Sequence, residues 1–269
     1  MENKNQKSKG LGSIFSAIVI PAALIVSFII YYKVLGNGSH FQGGNPENNP
    51  LPGDYFGVVY KGGFIVPVLM SLLLIVITFS IERFFTISKA KGKGSAVAFV
   101  RNIRALLQTN NINEAMAECE KQKGSIGNVV NSVLIKYKQV ETETEMSKDQ
   151  KLVALQKEVE ESTALELPAL EQNLGVLATI SSVATLMGLL GTVLGMIRAF
   201  AALANAGSPD SVALANGISE ALINTALGIG TAALAIIAYN FFTTRIDKLT
   251  YSIDEAGFTI VQSYGANHK

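Results

Sequence analysis

Four stretches of this chain carry no charge at all: residues 10–32, 62–81, 172–197 and 221–244 contain no Asp, Glu, Lys or Arg. A helix rises about 1.5 Å per residue and the hydrocarbon core of a bilayer is about 30 Å thick, so roughly 20 apolar residues cross it. All four stretches are long enough. In lipid, a single segment of this length satisfies its backbone N–H and C=O groups only as a helix. The sequence therefore predicts an all-α membrane protein with four transmembrane helices.

Composition narrows the function classes. Charged residues are 16% of the 269 and hydrophobic residues 49%, where a soluble domain carries about 25% charge. A net charge of +1 offers nothing to nucleic acid; membrane lipids are the expected surroundings. One cysteine, Cys119, excludes an internal disulfide and any multi-Cys metal site. His40 and His268 lie in Gly- or Asn-rich surroundings, unlike a His-built metal site. No nucleophile motif, metal-ligand spacing or phosphate loop is present, so the expectation is a non-enzyme without cofactor or metal. The GxxGxxxG spacing at Gly188, Gly191 and Gly195 falls inside an apolar span with no strand before it, which makes it a packing motif rather than a nucleotide fingerprint.

The first stretch follows Lys4, Lys7 and Lys9, as a secretory signal would. Its apolar run is longer than a signal core and no small-x-small cleavage site follows at Tyr31, Tyr32 and Lys33. It reads as a retained helix. Nineteen of the 22 Lys and Arg residues fall on one side of the membrane if both termini are cytoplasmic, which requires an even number of crossings. The predicted organisation runs in eight pieces. Residues 1–35 are a cytoplasmic tail and an N-terminal transmembrane helix. Residues 36–61 are an external Gly/Asn/Pro-rich loop without helical or strand period, and 62–85 the second span. Residues 86–171 form a helical cytoplasmic domain, 172–204 the third span, 205–216 an external turn, 217–244 the fourth span and 245–269 a cytoplasmic tail.

Within the cytoplasmic domain, Val97, Val100, Ile103, Leu106 and Leu107 recur at helical spacing opposite Arg101 and Arg104. Residues 113–123 and 126–139 read as short helices broken at Gly124, and ETETEMSKD as a polar break. A long helix is predicted from near Ser147 into the third span. From 172 to 204 it would measure about 50 Å, more than a bilayer needs, so it projects into the cytoplasm.

The first two spans carry no polar stripe. The third has Ser181, Thr185 and Thr192 at steps of four and seven, with Gly188 between them, on one helix face. The fourth has Glu220, Asn224, Gly228 and Thr231 on one stripe, with Thr225 beside it. Two readings fit. In one, small residues pack the helices, the hydroxyls bond to their own i−4 carbonyls, and Glu220 is a helix-start charge in the headgroup region. In the other, symmetric copies of the hairpin surround an axis with the hydroxyl-bearing faces inward, forming a mildly polar path. The chain has no acidic residue at mid-membrane, so a central carboxylate would come from another subunit.

The run LPALE at 167–171, then LATI at 177–180 and GLLGTVLGMI at 188–197, with GISEAL at 217–222, TALG at 225–228 and Tyr239–Asn240, resembles the MotA/TolQ/ExbB proton-channel family. It is more similar to the ExbB and TolQ branch than to MotA. The likeness is close over about 165–245 and extends to the second span and cytoplasmic segment in layout only. It implies a subunit of a bacterial inner-membrane motor: a homopentamer around an ExbD-like single-span partner whose membrane aspartate takes up and releases protons to drive a TonB-like protein. By motif position, Thr192 and Thr225 would be the pore threonines and Glu220 the carboxylate. Thr185, Asn224, Thr231 and Ser181 would complete the lining, and Gly188, Gly191, Gly195 and Gly228 the helix packing.

The chain departs from the family pattern in four places. Thr185 stands where the family usually has Pro, a fourth-span Pro near Leu234 is missing, Asn224 replaces a small apolar residue, and the first span with its loop is additional. The resemblance also covers TolQ- or MotA-like stators for envelope maintenance, motility or secretion, and sodium in place of protons. A passive scaffold, in which the stripes only pack helices, is the reading outside the family.

Overall fold

The computed structural model describes residues 2–204 and 210–268, with side chains described from residue 15 onward. Residues 205–209 of the expected turn at 205–216 lie outside the described residues, and from Ser211 on the expected turn is already helical. Among the described residues there is no strand; Phe41 and Pro50 form an isolated bridge. Nine α-helices follow in order: α1 Glu2–Ile29, α2 Tyr55–Tyr60, α3 Ile65–Ala90, α4 Ala96–Gln108, α5 Ile112–Gln122, α6 Gly124–Thr142, α7 Lys148–Glu171, α8 Leu174–Ala204 and α9 Ser211–Asn267. Four helical segments are long and apolar enough to cross a membrane: Phe15–Leu35, Ile65–Ala90, Leu174–Ala204 and Ser211–Asn267. With 31 and 57 residues, the last two exceed the roughly 20 that a bilayer needs.

The chain forms two compact units, Met1–Ile81 with Asn173–Asn240, and Glu82–Gln172 with Phe241–Lys269. In the first unit α1 continues as a π-helical turn, Ile30–Leu35. Ala23, Ser27, Tyr31 and Leu35 are its buried stripe, at the i+4 spacing of one helix face. Phe15 meets Phe79 and Phe28 meets Phe64, at centroid distances of 6.2 and 5.9 Å, and the Ser16 hydroxyl donates to Asn173 Oδ1 at 2.5 Å. The additional N-terminal helix is thus packed into this unit.

The segment expected to lack periodicity, 36–61, contains α2 and two 3-10 turns. Asp54 caps α2 by accepting from the backbone N–H groups of Phe56 and Gly57, and its other oxygen lies 2.8 Å from His40 Nδ1. Tyr31 stacks on Tyr60 at 4.7 Å and donates to the Tyr60 carbonyl at 2.9 Å. A short helix of aromatic and β-branched residues has little propensity of its own; its cap and the Tyr31 contact supply what the local sequence does not.

The second unit is a helical bundle. Ile103, Leu107, Ile126, Val133, Leu134, Tyr137, Leu155, Ile253 and Tyr264 are its buried core. On α4 the buried set is Phe99, Val100, Ile103 and Leu107, while Val97 is 72% exposed. The predicted face is therefore rotated: Val97 lies about 200° from Phe99 around the helix, and the larger ring takes the core. The break at Gly124 is there, with Lys123 and Gly124 both at positive φ, the Gly where left-handed backbone is free of Cβ strain. The expected continuous helix from Ser147 into the third span is not. Ser147 starts α7 with a capping box to Gln150, but α7 stops at Glu171, and Gln172 (ψ 139°) and Asn173 (φ 64°) separate it from α8. Arg83, 2% exposed, donates to the carbonyls of Ala169 and Leu170 at 3.1 Å each. It satisfies acceptors that the end of α7 leaves open.

Candidate functional site

Within the first unit α8 and α9 approach on glycines. A Cβ placed at Gly195 would lie 2.7 Å from both the Ala221 nitrogen and the Gly217 carbonyl oxygen. At Gly228 it would lie 2.7 Å from the Ala184 oxygen, and at Gly188 3.0 Å from the Asn224 oxygen. At Gly191 it would lie 2.3 Å from the Asn224 Cβ. Gly188, Gly195 and Gly228 thus let the two backbones approach closely, and Gly191 makes room for the Asn224 side chain.

This seam decides where the polar residues go. Glu220, Asn224 and Thr231 are 6%, 0% and 2% exposed and, with Gly228, turn into the packing of the chain itself. The Asn224 amide donates to the Gly62 carbonyl at 2.8 Å, and among the described residues its Oδ1 has no hydrogen-bond partner. The α8 hydroxyls part from the glycines. Thr185 is exposed, and Ser181 and Thr192 are half-buried: Thr185 and Thr192 lie about 60° and 40° around the helix from Gly188, on the side away from Gly191, so they flank the seam rather than enter it. Each hydroxyl donates to a carbonyl of its own helix: Ser181 to Ala178 at 2.6 Å, Thr185 to Ser181 at 3.3 Å, Thr192 to Leu189 at 2.5 Å. On α9, half-buried Thr225 donates to Ala221 at 3.0 Å. Within one chain the two stripes do not enclose a common path.

The sequence reading missed the partner of Glu220. Arg198 Nη1 lies 2.6 and 2.7 Å from the two carboxylate oxygens. The Arg198 side chain is 59% exposed and that of Glu220 8%. The guanidinium thus reaches from the surface to a carboxylate held inside. Gly63, at φ +75°, admits the carboxylate: a Cβ there would lie 2.5 Å from Glu220 Oε1. Counting back from the end of α8 and forward from the start of α9 places both residues within three turns of the same hairpin end, which is the signal that could have paired them. The remaining known carboxylates do not gather: among the described residues no group of three His, Cys, Asp or Glu side chains could hold a metal ion.

Fold and hairpin together define a polytopic α-helical membrane protein whose last two spans pack on a glycine seam with hydroxyls beside it. Residues 128–255, just under half of the chain, match the model of the MotA/TolQ/ExbB proton channel family. Over 84 residues it is 42% identical to the Tol-Pal system protein TolQ of Haemophilus influenzae, 31% of this chain and 37% of that protein. Over 87 residues it is 38% identical to the biopolymer transport protein ExbB of Pseudomonas putida, 32% of this chain and 26% of that protein. The ExbB of Salmonella typhimurium is 32% identical over 87 residues, 32% of this chain and 36% of that protein. The matched stretch is thus between a quarter and two fifths of the length of these relatives.

Proposed function

We propose that the chain is the ring-forming subunit of an ion-motive-force-driven motor in the bacterial inner membrane. In the ExbB form, a homopentamer would surround an ExbD-like single-span partner and energise TonB-dependent transport. The observation that carries this reading is the state of Thr192 and Thr225. Both are half-buried at the edge of the α8–α9 seam, and each spends its hydroxyl hydrogen on its own helix. A hydroxyl that donates in this way keeps acceptor lone pairs. Two such acceptors facing a central axis suit a partner carboxyl group that must be protonated to move through lipid. Each charge moved across 100 mV yields about 2.3 kcal/mol, enough over several ions to break a modest set of helix contacts.

The test is ion uptake in liposomes containing the chain and its co-purified single-span partner. Thr225→Val and Glu220→Ala should each lower uptake by tenfold or more, about what 1.4 kcal/mol at a rate-limiting step gives. Wild-type uptake in both variants removes the pore assignment and leaves the passive scaffold. Run under separate proton and sodium gradients, the assay also identifies the coupled ion. The similarity to TolQ favours a second reading within the same mechanism, a TolQ-like stator for envelope maintenance, with MotA-like stators for motility or secretion beyond it. The identity of the co-purified partner separates them.

A further inference from the structure

On the second unit, the end of α3, the residue after it, the start of α4 and the middle of α9 line a cavity of about 220 Å³. Its position along each helix is defined by charge. The charge-free stretch of α3 ends at Ile81 and that of α9 at Thr244. Phe84 and Ile87 on α3 and Phe241 and Phe242 on α9 stand at that boundary. Lys91, the residue after α3, and Arg245 and Lys248 on α9 lie beyond it. Along both helices the lining passes from aromatic to basic at the depth where acyl chains give way to headgroups.

No carboxylate lines the cavity. Among the described residues, none of the three cations forms an ion pair; the Arg245 guanidinium rests 5.0 Å over the Phe241 ring. The apolar wall is also left open: Phe84 and Phe241 are 54% and 44% exposed.

We propose that this cavity binds an anionic phospholipid. Lys91, Arg245 and Lys248 take the phosphate, and Phe84 and Phe241 receive the start of the acyl chains. A basic pocket between membrane-spanning helices at the headgroup level recognises such lipids by charge, while the rings bury the adjoining methylenes. A soluble anion would satisfy the cations and leave the aromatic wall uncovered; a zwitterionic lipid would do the reverse. The proposal rests on the spans and not on ion conduction, so it stands or falls separately from the motor reading.

The test is native mass spectrometry of the purified full-length protein in micelles with equal amounts of phosphatidylglycerol and phosphatidylcholine of matched chains. Wild type should retain the anionic lipid preferentially. Arg245→Gln with Lys248→Gln should reduce that preference by roughly fivefold per residue removed. Lys89→Gln with Lys93→Gln, an equal loss of charge outside the cavity, should leave it near wild type. Equal retention of the two lipids by wild type overturns the proposal, and this comparison does not depend on any variant folding. An unchanged preference in the Arg245/Lys248 variant overturns it too. Displacement of phosphatidylglycerol by millimolar inorganic phosphate would make free phosphate the ligand and also overturn it.

Discussion

Glu220 is the residue whose role changes most between one dimension and three. In the sequence it begins a stripe that runs inward along the fourth span. In the structure its carboxylate is folded against Gly63 and bridged by Arg198. Removing one partner of a buried pair leaves the other desolvated without compensation. The outward exposure of Arg198 lets water reach the vacated site, so the penalty is smaller than for a fully enclosed pair. Arg198→Gln should therefore destabilise the first unit by about 1–3 kcal/mol. Adding Glu220→Gln should recover part of that loss, because a neutral pair no longer needs the cation. Denaturant titration of the four members of this cycle measures the coupling, expected at about 1 kcal/mol; additive losses would mean that the contact contributes nothing. Asn224 is bound into the same packing through Gly62 and Gly191. A sequence of one chain could show its polarity and its stripe. It could not show that the partner is a backbone carbonyl 162 positions away.

Helix ends test local reasoning more severely than helix middles. The four apolar elements and the break at Gly124 were legible because charge distribution and glycine act within a few residues. The interruption between α7 and α8 was not: Gln172 and Asn173 carry no breaker residue, and Gly175 lies inside α8. What holds Asn173 at φ 64° includes the Ser16 hydroxyl, brought there by tertiary packing. Asn173→Gly keeps the left-handed backbone and loses that bond, at about 1 kcal/mol. Asn173→Val loses the bond and adds about 1–2 kcal/mol of backbone strain. The order wild type, Gly, Val in thermal stability checks this, and Ser16→Ala should match the Gly variant. The loop before α3 has its own pH dependence. Hydrogen bonding to His40 first, then to the Gly57 N–H, holds the Asp54 carboxyl below the usual aspartate range. A lowered value means that the folded loop favours the charged form. Its contribution is complete above the ordinary value near about 4 and is lost as pH falls through the folded-state value. Amide exchange at Phe56 and Gly57 should speed up relative to other capped helices on acidification, and Asp54→Asn should remove the dependence.

At the scale of the whole molecule, the direction in which the helices run through the membrane is measurable by cysteine labelling, and the chain supplies a clean background for it. Its lone thiol, Cys119, is buried, and that burial pushes its pKa up to about 12. The thiolate is the reactive species, so the native protein should be silent to maleimide near neutral pH and label only after its second unit unfolds. A cysteine introduced on the surface then reports alone. Nineteen of the 22 basic residues share one side if both termini are cytoplasmic, and those within about 15–20 residues of the span ends orient the chain. Asn45→Cys, between α1 and α2, should label in intact spheroplasts with a membrane-impermeant maleimide. Glu145→Cys, between α6 and α7, should label only after permeabilisation. The same assay checks the cavity at the ends of α3 and α9, because Lys91, Arg245 and Lys248 then face the leaflet whose surface potential is negative. Labelling of Glu145→Cys in intact spheroplasts, with Asn45→Cys protected, would invert the topology. It would set the basic majority against the rule that orients the chain, and deny the second unit access to cytoplasmic partners.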